Sequence, residues 1–272
     1  MAVTALHSAA TGLNALSTEL DVIANNLANV NTTAFKSSRV NFQDLLYLEK
    51  KQPGVENING DERPIGLYVG LGVEVSGTQK DFTQGDAVAT GRELDIMIEG
   101  NGFLMVSVED DLGPDGIAYT RAGNLTRNSE GQVVLATDQG RIVQPEITID
   151  NSVSSSAITI TADGQVFVKV DGDADPQLVG QLELAAFINP QGLAEVGENL
   201  FVATAASGDA ITGTPTEGVF GSINQGFLEG SNVDPVKELV SLIKTQRAFE
   251  LNGQTVKAAD ETLQIVNNLR RR

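Results

Sequence analysis

The sequence predicts an α+β fold in which an N-terminal and a C-terminal helix form a coiled-coil-like α domain. A central all-β domain and an irregular, partly β connector lie between them. Two observations predict this. Seven-residue apolar repeats occupy both ends of the chain, and short apolar runs broken by Gly, Asn and Asp fill the middle.

At the N-terminal end, Leu6, Leu13, Leu20 and Leu27 recur every seven residues, with Ala9, Leu16, Ile23 and Val30 between them. The spacing predicts one amphipathic helix over residues 3–30. Gly12 is its weak point, costing about 1 kcal/mol relative to Ala. The Asn-rich run 25–31 is expected to end the helix, because Asn side chains compete for backbone hydrogen bonds. At the C-terminal end, Pro235 suits a first helical turn and Asp234 is placed to cap it. Leu239 follows, then Leu242, Phe249, Val256 and Leu263 at heptad spacing with Ala259 and Val266 beside them. Thr245 and Asn252 occupy alternate seam positions, where polar residues can fix register. Both seams could pack within one chain, but a strict seven-residue register suits coiled-coil geometry and hence subunit interfaces.

Between the helices, Gln52, Pro53, Gly54 and Pro64 mark an irregular connector, because proline bars a continuous helix. Residues 67–82 turn β-like. Short strands are expected near 94–98, 103–108, 117–121, 131–136, 145–150, 157–161, 165–170, 178–188 and 199–203, arranged as a sandwich or partly open barrel. The Gly100-Asn101-Gly102 run predicts a hairpin joining the first two. The expected domains are 1–47 with 230–272 as the helical domain, 48–82 as the connector and 83–229 as the β-rich domain.

Charge divides the same way. Residues 1–45 carry a net −1, residues 46–229 carry −19 and residues 230–272 carry +2. Nearly neutral ends can pack closely, and an acidic middle argues against nucleic acid as a partner. The absence of cysteine removes disulfides, thiolate chemistry and Cys-based zinc sites. No run is long enough to insert in a membrane as a helix. The first 35 residues lack Lys and Arg, so no basic signal-peptide start is present.

Catalytic and cofactor motifs are weak. His7 is the single histidine and stands beside the Leu6 seam with no nucleophile motif around it. The run Asp171-Gly172-Asp173-Ala174-Asp175 imitates a calcium loop but continues with Pro176 and Leu182 where Gly and Glu are needed. Glu109-Asp110-Asp111 reads as a solvated hairpin tip. Gly70-Leu71-Gly72 and Gly100-Asn101-Gly102 do not extend into a phosphate cradle. No catalytic, metal or cofactor residue is therefore assigned, and no enzymatic activity is expected.

Two long runs carry a family resemblance. Residues 5–36 (Ala-Leu-His-Ser-Ala-Ala-Thr-Gly-Leu-Asn through Asn-Val-Asn-Thr-Thr-Ala-Phe-Lys) resemble the N-terminal signature of bacterial flagellar rod and hook proteins. Residues 225–234 (Gln-Gly-Phe-Leu-Glu-Gly-Ser-Asn-Val-Asp) and 242–252 look like its C-terminal hallmark. Segments 66–73, 83–86, 94–103 and 119–124 resemble the distal-rod branch. Residues 52–54 fall where that branch has an insert linked to a straight, stiff rod, although 57–63 differ from its common wording.

The resemblance implies a structural subunit that polymerises helically into a hollow drive shaft around an export channel. It implies export by the flagellar type III system without signal cleavage, and a rod spanning the periplasm. Its partners would be its own copies, proximal rod proteins, the hook protein and the surrounding L- and P-ring proteins. Two alternatives stand beside this: another axial protein (a proximal rod or hook subunit), and a β-sandwich binding domain with helical oligomerisation arms.

Overall fold

A computed structural model of the protein describes residues 2–54, 64–109, 112, 116–169 and 175–270. It divides into two compact units. One joins residues 1–28, 38–80 and 234–272; the other joins residues 29–37 and 81–233.

The first unit contains α1 (Ala2–Ala28), β1 (Ser38–Asp44), β2 (Tyr47–Lys51), β3 (Leu67–Gly70), β4 (Val73–Lys80) and the terminal helix α2 (Pro235–Arg270). The two helices pack against each other in antiparallel fashion. Near the end of α1, the Asn26 amide donates to Glu238 at 3.3 Å, while fourteen residues earlier Gly12 faces Asn252. A Cβ at Gly12 would lie 3.1 Å from the Asn252 amide nitrogen. The glycine that weakens α1 locally therefore lets α2 approach it.

Helix α1 stops in the Asn-rich run, as its sequence indicates. The reason is visible at Asn26, which is buried. Its amide donates to the Ser38 carbonyl at 2.8 Å and its carbonyl accepts from the Ser38 N–H at 3.0 Å. This two-way bond ties the helix end to the first residue of β1. At the start of α2, the Asp234 carboxylate accepts from the N–H groups of Val236 and Lys237 at 3.0 and 3.2 Å. These bonds hold its pKa below the usual carboxylate range, as an N-terminal cap should.

β1 pairs with β4 and β2 with β3, both antiparallel. Hydrogen bonds from Leu45 to Gly72 and from Leu71 to Leu46 bridge the two pairs, making one long two-stranded ribbon. Its tip carries the connector. Gly72 (φ +117°) lies against α1, and a Cβ there would fall 2.1 Å from the Thr11 hydroxyl.

The second unit is built from β5 (Ala87–Ala89), β6 (Ile96–Glu99), β7 (Phe103–Ser107), β8 (Ile117–Thr120), β9 (Leu125–Arg127), β10 (Val133–Leu135), β11 (Val143–Gln144), β12 (Ile158–Ile160), β13 (Gln165–Val168), β14 (Gln177–Gln181), β15 (Leu184–Ala186), β16 (Ala194–Gly197), β17 (Leu200–Val202), β18 (Ile211–Gly213), β19 (Ser222–Gln225) and β20 (Phe227–Glu229). Its largest sheet is antiparallel and open, in the order β16-β17-β8-β7-β15-β18, with β11 also on β7. β7 is apolar on both faces because both faces are covered. Leu104 and Val106 enter a large aliphatic core with Ile96, Ile98, Leu184 and Ile223. Phe103 and Met105 face a second cluster with Tyr119, Phe187 and Phe201. Its rings meet edge to face, with Tyr119 and Phe187 centroids 4.7 Å apart.

Three strand expectations need correction. Glu99–Gly102 is not a hairpin turn: β6 pairs with β19, and β7 with β8, β11 and β15. Gly100 (φ +106°) and Gly102 (φ +140°) instead carry the chain from one sheet to another, where a Cβ at Gly102 would approach Leu184 to 3.0 Å. Residues 145–150 do not form a strand; Ile147 and Ile149 are buried, but only the isolated bridge Gln132↔Thr148 joins them to a neighbour strand. The run 178–188 splits into β14 and β15 because its halves pair in different sheets.

The Gly72 contact yields a test. Gly72→Ala meets both the positive φ and the Thr11 hydroxyl, and is expected to lower stability by about 1–3 kcal/mol in urea denaturation. Gly77→Ala, on β4 with open space around it, is expected to change it far less.

Candidate assembly surfaces

The helix pair uses part of each predicted seam and leaves part free. On α1, Ile23 is buried together with Ala9, Gly12 and Ala15, while Leu6, Leu13, Leu16, Leu20 and Leu27 are half-buried. Val30, also half-buried, lies beyond the helix in the second unit. On α2, Thr245 is buried, and Leu242, Val256, Asn252 and Ala259 are half-buried. Leu239, Phe249 and Leu263 are exposed. Val266 belongs to α2, but its side chain lies outside the described residues.

The sequence reading missed a second apolar set on α2. Val236, Val240, Ile243, Leu251 and Ile265 are all exposed. They fall off the heptad seam, so a search for one stripe passes over them. The available signal was that α2 carries large apolar residues all round its circumference, the pattern of a helix with neighbours on several sides.

Glu238 faces α1 from the first turn of α2. Burial raises its pKa above the usual carboxylate range, against the opposing hydrogen bond from Asn26.

The connector residues Gln52, Pro53, Gly54 and Pro64 are exposed at the tip of the ribbon. Residues 57–63, singled out for their unusual wording, lie outside the described residues. So do Asp110, Asp111 and 171–174 of the two acidic runs. The ribbon itself bears exposed apolar side chains: Leu46 (83%), Tyr47, Leu48, Ile65 (77%), Leu67 and Tyr68.

The second unit holds a buried charge cluster that sequence reasoning did not anticipate. Glu229 is fully buried on β20. Its Oε1 accepts from Lys36 Nζ at 2.5 Å and from the Gly85 N–H at 3.0 Å. Its Oε2 lies 3.2 Å from Arg121 Nε. Lys36 also donates to the Thr83 carbonyl at 2.7 Å, and Arg121 to the Gly100 carbonyl. The Glu229 carbonyl accepts from Ala34 N–H at 2.8 Å. Asn232 adds a second anchor, accepting from Ser37 N–H at 2.7 Å and donating to the Asp81 carbonyl at 2.7 Å. The end of the N-terminal signature and the start of the C-terminal one are thus fastened side by side. Burial pushes the Lys36 ammonium below the usual lysine range, although Glu229 pulls it upward.

No described residues form a group of three or more His, Cys, Asp or Glu able to hold a metal. His7 is an exposed helix residue. No described helix is long and apolar enough to cross a membrane.

Three family profiles match along the chain: "Flagella basal body rod protein" over residues 6–36, "Flagellar hook protein FlgE/F/G D1 domain" over 97–168 and "Flagellar basal body rod FlgEFG protein C-terminal" over 224–269. The flagellar basal-body rod protein FlgG of Caulobacter vibrioides is 43% identical over 98% of this chain and 99% of its own length. The chain belongs to the flagellar basal-body rod family. The FlgG proteins of Borreliella burgdorferi and Agrobacterium fabrum are each 42% identical, over 98% and 97% of this chain and 98% of their own lengths. The resemblance read from the terminal signatures is thereby established, and the chain is a structural rod subunit of the FlgG type. The charge cluster lies where two of the matched segments meet, Lys36 at the end of one and Glu229 inside another.

Two outcomes are expected from the cluster. Glu229→Gln leaves two buried cations without a counter-charge and should cost about 3–5 kcal/mol in urea denaturation. Lys36 has a folded pKa below its ordinary 10.5, so the unfolded chain binds more protons in the window between the two values. Stability should therefore rise with pH through that window. The denaturation midpoint of Lys36→Met should lack this rise.

Proposed function

We propose that the protein polymerises with its own copies into the hollow distal part of the flagellar rod. There it would enclose an export channel and transmit motor torque to the hook. The observation that carries the proposal is α2, a 36-residue helix with apolar residues all round and one helical partner within its own chain. Such a helix finds its remaining neighbours in other copies, and copies related by a repeated non-closing contact form a helical tube. The seam residues Leu6, Leu13, Leu16, Leu20, Ile23, Leu27, Val30, Leu239, Leu242, Phe249, Val256, Leu263 and Val266 belong to this helical wall. The acidic unit would face outward, toward the L- and P-ring proteins. Proximal rod proteins and the hook protein would cap the two ends. The cysteine-free chain suits type III export without a cleaved signal, followed by ordering in the periplasm as neighbours bury the helices. The connector around Gln52, Pro53, Gly54 and Pro64 would set the stiffness of the shaft.

Val240→Asp combined with Ile243→Asp alters exposed residues only. It is expected to abolish polymerisation, read by sedimentation and electron microscopy, while circular dichroism stays unchanged. Normal filaments from this variant would sink the assignment. Deleting residues 55–63 should change filament curvature or rigidity more than the amount exported; loss of export alone would remove the connector from its proposed role.

A further inference from the structure

The ribbon that carries the connector is made for burial. A two-stranded hairpin is marginal alone in water, and an exposed apolar one invites pairing. β2 and β3 nevertheless present Tyr47, Leu48, Leu67 and Tyr68 to solvent, and the adjoining Leu46 and Ile65 are the most exposed of the set. Within β2 and β3, Lys50 and Lys51 stand against the single acid Glu49.

A complementary surface exists on the second unit. A groove of about 400 Å³ opens there, with Phe82, Phe103 and Phe187 among its lining and Ile188, Ile211 and Val219 at its exposed margin. Ile188 is 84% exposed and Val219 61%. A cleft of this volume and apolarity is of the size that accepts large side chains. Its surroundings are acidic. The second unit holds six Lys/Arg against 23 Asp/Glu, and the exposed Asp209 and Glu217 stand two residues from Ile211 and Val219. An apolar ribbon with two lysines matches an apolar groove on an acidic unit in both respects, the buried Arg121 being the one charged residue in the groove lining.

We infer that this groove receives the β2–β3 ribbon of a second copy. The inference rests on the reading of the connector as an element acting between subunits, and it supplies the surface on which the connector acts. The ribbon would be fixed at its base by its own helix pair and at its strands by the neighbour's groove. A hairpin held at both points resists bending.

The natural absence of cysteine makes the pairing testable in full-length protein. Leu48→Cys and Val219→Cys are prepared as separate chains, mixed, polymerised and oxidised with copper phenanthroline. Tyr68→Cys and Ile188→Cys serve as a second pair. At least one pair is expected to give disulfide heterodimers on a non-reducing gel, about tenfold above the unpolymerised mixture. Normal polymers without cross-links from either pair overturn the inference. Cross-links that form only when both cysteines share one chain also overturn it, because the ribbon then lies on its own body.

Should the cysteine variants not polymerise, charge exchange decides. Lys50→Glu with Lys51→Glu is expected to raise the critical concentration about tenfold. Adding Asp209→Lys with Glu217→Lys to the same chain should restore it, and failure to restore overturns the inference. The two readings fail separately. If connector deletion softens the filament but no cross-link forms, the stiffness role stands and the groove falls. If cross-links form but deletion leaves rigidity unchanged, the groove stands and the stiffness role falls.

Discussion

The carboxylate of Glu229 is the interaction on which the β-rich unit depends. It stands fully buried between Lys36 and Arg121. Each of the three would be very costly to bury alone; together they offset one another's charge, while the Gly85 N–H and the Thr83, Gly100 and Ile98 carbonyls supply hydrogen bonds. Such a cluster adds little net stability compared with an apolar replacement of the same volume. What it gives is a defined arrangement: the segment 29–37 can seat in this unit only where Lys36 meets Glu229. Around it, the paired bonds of Asn232 hold Ser37 and Asp81 in the same register. The chain segments leading to both helices are therefore set by one small polar core within an otherwise aliphatic and aromatic unit.

The helix pair follows a different logic. Gly12 lets α2 come close, and the buried residues of α1 are Ala9, Gly12, Ala15, Ile23 and Asn26, while many larger apolar residues of α2 remain at the surface. An ordinary two-helix core would place the largest side chains inward. Here many of the large side chains of α2 stay outward, the arrangement expected of a component whose burial is completed by copies of itself. The charge distribution agrees, since almost all of the net −18 lies on the β-rich unit and the helices remain close to neutral.

Much of this was legible in the chain. Heptads at Leu6–Val30 and Leu242–Val266 gave the helices, Asp234-Pro235 gave the start of α2, and alternation at Leu67–Val75 gave the returning side of the ribbon. Strand pairing was not legible, because β6 and β7 are near in sequence but belong to different sheets, and their Gly-Asn-Gly link carries ordinary turn residues. The charge cluster was equally hidden. Lys36, Arg121 and Glu229 are unremarkable singly, and only the fold brings the two cations within about 3 Å of the carboxylate. The off-seam residues of α2 were missed because periodicity identifies one face at a time. A helix with partners on several faces dilutes its own signal.

The bond between Lys36 and Glu229 joins residues 193 positions apart. That separation has a kinetic meaning. Contacts so distant along the chain form only after the entropy of closing a very long loop has been spent, and proteins dominated by them fold slowly. A chain emerging from either end would lack one member of the pair until almost all of it had appeared. The β-rich unit would thus remain without its polar centre until most of the chain had emerged, and a subunit would lock into its final form only once nearly the whole sequence was present.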